Sequence, residues 1–165
     1  MSRLLSTLDS EFRPLADKLL ERIEKNGLHA FIVFTTRAPV EQGALWRQGR
    51  SGFTVKGTIR RLRKGSWFER AQADALEAAG ALKRGAVVTW ALPYESPHQY
   101  GYAIDLCPAV NGVPMWNRLD LFRAFGEIGR DELGLEWGGS WETKPDFGHF
   151  ELPEWRTRVI RRMLP

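Results

Sequence analysis

Leu15, Leu19, Leu20 and Ile23 recur at helical spacing, between Asp9 or Ser10 as a cap and Asn26-Gly27 as a stop, where glycine tolerates the left-handed turn. Residues 28–34, LHAFIVF, form a short apolar run rich in β-formers and predict a buried strand. Pro39 suits the first turn of a short helix through Gln42, Leu45 and Trp46. From Gly49 to Gly65 the chain is basic, glycine-spotted and weakly periodic, which predicts a long loop or an irregular hairpin. Ser66 then caps a helix over 66–84 whose apolar positions Phe68, Ala75, Leu76, Ala79 and Leu82 share one face. Residues 86–92, AVVTWAL, predict another strand.

In the second half the period shifts to two. Over 102–110, YAIDLCPAV, the residues Tyr102, Ile104 and Leu106 point one way and Ala103, Asp105 and Cys107 the other. Asn111-Gly112 is a two-residue hairpin signal into VPMW, and Asn117 can cap a helix carrying Leu121, Phe122, Phe125 and Ile128 up to Gly134. A last strand, Phe147 to Leu152, precedes a C-terminal helix entered at Pro153. This order predicts an α+β fold with a small, mainly antiparallel sheet flanked by helices. With 165 residues, no internal repeat and no linker, a single domain is expected over 1–165.

Composition narrows the classes. One cysteine, Cys107, permits no internal disulfide, and beside Pro108 it reads as a small buried hydrophobe rather than as a metal ligand. No apolar run is long enough to span a membrane. The N-terminal MSRLLSTLDSEF lacks the apolar core and cleavage site of a secretory signal, so a chain that starts in the cytoplasm is expected. The net charge of +4 is unevenly placed: Arg47, Arg50, Lys56, Arg60, Arg61, Arg63 and Lys64 occur with no acid between Glu41 and Glu69. Arg156, Arg158, Arg161 and Arg162 end the chain. Such clusters are either solvated faces or sites that gather anionic partners.

Two of the three histidines stand in short polar motifs at the ends of expected strands. His98 lies in SPHQYGYAID, where Pro97 disfavours a helix start and Gly101 lets the backbone turn into the strand of Asp105. His149 lies in DFGHFE, after the turn-prone WGGSWETKP. His29, in an apolar strand outside any motif, reads as a core or edge histidine. His98, Asp105 and His149 make up the imidazole and carboxylate set of a catalytic zinc with one open position. A zinc held so lowers the pKa of water towards about 7 and polarises a scissile carbonyl, which removes the need for a serine or cysteine nucleophile. A carboxylate must still take the water's proton. Asp146 is three residues from His149, an odd step that requires a bent backbone, for which Pro145 and Gly148 are suited. Glu151, two residues on, shares the face of His149 and is either a partner holding that ligand or the alternative base. Trp137 and Trp141, around Gly138-Gly139, are either core or the wall of a substrate groove.

Ser96-x-His98-x-x-Gly101-x-Ala103-x-Asp105 followed by Asp146-x-x-His149 resembles the zinc D-Ala-D-Ala carboxypeptidase and L-alanyl-D-glutamate endopeptidase family, which includes vancomycin-resistance peptidases and phage endolysins. Upstream, Thr36-Arg37-x-x-x-x-Gln42-x-x-Leu45-Trp46-x-x-Gly49-Arg50 looks like the stretch these endolysins carry before their first metal histidine. The resemblance implies a zinc site at one edge of a hedgehog-like or D,D-peptidase-like sheet, with one zinc ion on His98, Asp105 and His149. It implies Asp146 as general base, and Arg37 as the group that stabilises an oxyanion or holds a substrate carboxylate. Ser96, Gln42 and Trp141 would line the substrate pocket, with Glu151 behind the metal. Where the family runs a short loop, this chain inserts the basic segment and helix of about 50–84.

The expected function is therefore a zinc metallopeptidase of bacterial peptidoglycan, acting on the L-Ala-D-Glu bond as a monomeric endolysin. Such an enzyme waits in the host cytoplasm and reaches the wall through a holin-type partner. The alternatives are a D-Ala-D-Ala carboxypeptidase or dipeptidase and, in another class, a non-catalytic module that binds an anionic polymer. Nucleic acid is not the expected partner.

Overall fold

The alternating stretch at 102–110 folds as the longest strand of the sheet, Ala103–Val110 (β2), in a computed structural model that describes residues 1–81 and 84–163. On one side β2 pairs antiparallel with Ala30–Phe34 (β1), and on the other with His149–Glu151 (β5), which in turn pairs with Glu136–Trp137 (β4). The order is β1-β2-β5-β4, with the short Val113–Pro114 (β3) folded back onto the end of β2. The α+β fold with an antiparallel sheet is thus as expected. Asn111 and Gly112 take φ of 51° and 77°, the left-handed pair that a tight two-residue hairpin requires.

The chain forms two compact units, residues 1–36 with 100–165, and residues 37–99. In the first, Tyr102, Ile104 and Leu106 face one core with Phe150 and Trp137, as the parity of the strand predicts. Phe12, Ala16, Leu19 and Ile23 bring the helix Arg13–Lys25 (α1) to that core, and Phe125 and Ile128 bring Leu119–Glu127 (α5) and the π turn Ile128–Glu132 after it. The helix Trp155–Met163 (α6) closes the unit through Trp155. The opposite face of the strands carries Ala103, Asp105, Glu136, His149 and Glu151, which stand beside one another in the pairing register.

The second unit holds the helices Pro39–Arg47 (α2), Gly52–Leu62 (α3) and Trp67–Ala78 (α4), packed around Trp46, Val55, Leu62, Ala73 and Leu76. Ser66 and Glu69 cap α4 reciprocally, each side chain accepting the other's backbone N–H. Leu82, placed on this helix by its period, lies outside the described residues.

Several sequence expectations are corrected. Residues 52–62 are a helix and not a loop: Val55, Ile59 and Leu62 share a face, and Ser51 accepts the Thr54 N–H at 3.1 Å as its cap. Residues 86–92 form no strand; Val88 and Trp90 are exposed, and the carbonyls of Thr89 and Ala91 are taken by the side chains of Arg50 and Gln42. β1 is half-buried along its whole length rather than buried, because it is the edge of the sheet. α1 begins at Arg13, not at Asp9 or Ser10, since Phe12 is drawn wholly into the core and Pro14 stands in its first turn. α5 is entered from Arg118 rather than capped by Asn117; Arg118 pairs with Asp120 in its first turn, with bonds of 2.8 and 2.6 Å.

Candidate metal centre

Register brings the first two groups together. Asp105 stands directly opposite His149 where β2 pairs with β5, and His149 Nδ1 lies 2.9 Å from Asp105 Oδ1. His98 arrives from the sequence side: a 3-10 turn, Pro97–Tyr100, carries it, and Gly101 at φ 73° swings the chain into β2. A side chain at Gly101 would also stand 2.6 Å from the Asp9 nitrogen, so glycine is required there twice over. The ligand atoms of His98, Asp105 and His149 all lie within 4.8 Å of one another. Both histidines are buried and Asp105 is partly open to solvent.

The donor set fits zinc. Ligands of tetrahedral zinc stand about 3.3 Å apart, so small side-chain shifts would close these three on an ion. Glu151 supports the choice of atom on His149: its Oε2 lies 2.7 Å from Nε2, which leaves Nδ1 facing Asp105. Glu151 in turn accepts the Trp155 indole N–H at 3.1 Å. Burial lowers the pKa of His149, but its hydrogen bonds to Asp105 and Glu151 outweigh that and raise it to about 10 in the metal-free chain. Glu151 is itself displaced: burial raises its pKa, and the bond to His149 more than reverses that, holding it below the usual value. Glu136, opposite Glu151 in the register, is pushed up by burial and by the charge of Glu151. Sequence reasoning missed Glu136; the two-residue strand β4 is too short to leave a period.

The D-x-x-H segment bends as its odd spacing demands. Residues 147 and 148 form a turn closed by the His149 N–H on the Asp146 carbonyl at 3.2 Å. A Cβ at Gly138 would stand 2.5 Å from the Asp146 carbonyl oxygen, and 3.1 and 3.3 Å from the Cβ atoms of His149 and Asp146. Asp146 and His149 therefore flank the same point, and Asp146 is exposed.

Arg37 donates its backbone N–H to the His98 carbonyl at 3.2 Å and its Nη1 to Gln42 Oε1 at 2.9 Å. Gln42 is fully buried, and its amide also donates to the Ala91 carbonyl at 2.8 Å, so it orients Arg37 with no surface left to meet a substrate. Ser96 is buried at the start of the turn that carries His98. The tryptophan pair divides: Trp137 is in the core, while Trp141, 40% exposed, lies with its ring 5.3 Å from that of His149. His29 is exposed beside the edge strand, and Cys107 is fully buried outside the ligand cluster.

Residues 91–152 match the profile of a family described as D-alanyl-D-alanine carboxypeptidase. The chain is 33% identical over 90 residues to the peptidoglycan L-alanyl-D-glutamate endopeptidase CwlK of Bacillus subtilis, an overlap of 48% of this chain and 52% of that protein. It thus spans about half the length of the curated relative it matches. Among solved structures, the Serratia marcescens L-Ala D-Glu endopeptidase ChiX aligns over 93% of this chain and 86% of its own at a TM-score of 0.51 and 16% identity. The vancomycin-resistance D,D-pentapeptidase VanY of a VanB-type cassette, solved with Zn(II), aligns over 95% and 80% at a TM-score of 0.51 and 14% identity. At those identities the two structures establish a shared fold.

Proposed function

We propose, from the match of residues 91–152 to a family described as D-alanyl-D-alanine carboxypeptidase, that this chain is a zinc-dependent peptidase of bacterial peptidoglycan that cuts the L-Ala-D-Glu bond of the stem peptide. The observation that carries the reading is the convergence of His98, Asp105 and His149, two imidazoles and a carboxylate whose ligand atoms gather within 4.8 Å. The choice of bond is supported by the likeness to CwlK, a peptidoglycan L-alanyl-D-glutamate endopeptidase that shares a third of its residues with this chain over the matched stretch.

When bound, zinc supplies a Lewis acid that acidifies water and polarises the scissile carbonyl. Glu151 fixes the ring of His149 and the tautomer it presents. Asp146, exposed and with its Cβ, like that of His149, beside Gly138, takes the proton of the attacking water and returns it to the leaving amine. Arg37, oriented by Gln42, offers its fork to the developing oxyanion or to a substrate carboxylate. Trp141 gives the stem peptide an apolar wall next to His149.

A second reading, hydrolysis of the terminal D-Ala-D-Ala bond, is favoured by the description of the family that residues 91–152 match. Mass spectrometry of stem peptides digested by the zinc-loaded protein separates the two. Fragments that begin at D-Glu support the first reading, release of D-Ala replaces it with the second, and an intact substrate rejects both.

A further inference from the structure

The basic segment of the 37–99 unit does not enter the proposed chemistry, yet it builds a cavity. Lys56 and Arg60, one helical turn apart on α3, line about 600 Å³ of concave space together with Arg47 and Arg63. Its floor is aliphatic, from Val55 and Ile59.

The four cations are not equivalent. Arg63 is met by Asp74 and Glu77, each at 2.6 Å, so that corner is neutralised. Lys56 and Arg60 are exposed and face no carboxylate within ion-pair distance among the described residues. Arg47 gives Nη1 to the Leu76 carbonyl at 2.6 Å, but its Nε is buried and meets no acceptor.

The ammonium of Lys56 and the guanidinium of Arg60, exposed at one concavity, suit an oxyanion that accepts from several directions, as a phosphate does. None of the described residues lining the cavity is aromatic, so a nucleobase finds nothing among them to stack on. A polyol or sugar phosphate needs only charge pairing and aliphatic contact, which Val55 and Ile59 provide.

We propose that this cavity binds the phosphate groups of a phosphodiester-linked polyol polymer of the bacterial envelope and thereby tethers the chain to the wall. The choice of polymer rests on the reading of the chain as a wall peptidase. The binding measurement requires no catalysis, so its failure would leave that reading standing.

The test is calorimetric titration of the intact, zinc-loaded protein with poly(glycerol phosphate), inorganic phosphate and oligothymidylate. The expected result is polymer binding that weakens as salt rises, because phosphate contacts release counterions. The double variant Lys56→Ala/Arg60→Ala should bind at least tenfold more weakly, while its melting temperature and its hydrolysis of soluble muropeptides stay unchanged. The proposal fails if the polymer does not bind or binds the double variant equally well. It is replaced by a small-anion site if inorganic phosphate binds as tightly as the polymer. It is replaced by a nucleic-acid site if oligothymidylate matches the polymer and shows the same sensitivity to the two substitutions.

Discussion

The unit of residues 1–36 and 100–165 and the unit of residues 37–99 solve the same problem, holding polar side chains in fixed places, by different means. In the first, ladder hydrogen bonds set a register, and the register places Asp105 beside His149 and Glu136 beside Glu151. In the second, long side chains reach the backbone instead: Gln42 to the Ala91 carbonyl, Arg50 to Thr89 and Gln72 to Pro93. A sheet backed by Phe150, Trp137 and Phe125 is a rigid base for a constellation that must meet one ion. The helical unit closes on a smaller core, and its chemistry lies near its two ends, where the Arg37 N–H meets the His98 carbonyl.

The comparison is tested most severely at Asp146. Asp146→Asn should lower kcat by about 10² to 10⁴-fold, the usual range for a lost general base, with zinc content unchanged; a variant that keeps its turnover moves the role to Glu151. Glu151→Gln should weaken zinc binding by roughly 10 to 100-fold, as loss of a group supporting a metal ligand does. Unaltered affinity would mean that His149 is oriented by packing alone.

The pH dependence follows from His149. Its pKa in the folded, metal-free chain, about 10, lies above the ordinary 6.5. The stabilisation this gives is fully present below about pH 6.5 and is lost as pH rises through about 10. Thermal melts of metal-free protein should therefore decline across that window. Zinc must displace the same proton, so its apparent affinity should rise on the order of tenfold per pH unit between pH 6 and 8. An affinity indifferent to pH would show that His149 is already neutral. The smallest effect is expected in the other unit, where Ser51→Ala should cost about 1 kcal/mol by uncapping α3 and leave zinc affinity untouched.

These differences also decide what the sequence could reveal. The alternation of 102–110 was readable because β2 has one apolar face and neighbours on both sides, and the two histidine motifs stood out by their glycines and their spacing. The helix α3 was hidden, since Gly52, Gly57 and three basic residues dilute the stripe of Val55, Ile59 and Leu62. The strand expected at 86–92 failed for the opposite reason. Its apolar run is genuine, but its carbonyls are claimed by side chains far away in sequence, which no local pattern announces. Glu136 was out of reach for the same reason, because only the pairing of β4 with β5 brings it to Glu151.

Metal analysis of the purified chain is the most direct test of the account, with the single variants His98→Ala and His149→Ala alongside. One zinc ion per chain, lost from each variant, is the predicted result. A chain that takes up no zinc, or variants that hold it as firmly as the parent, would contradict it.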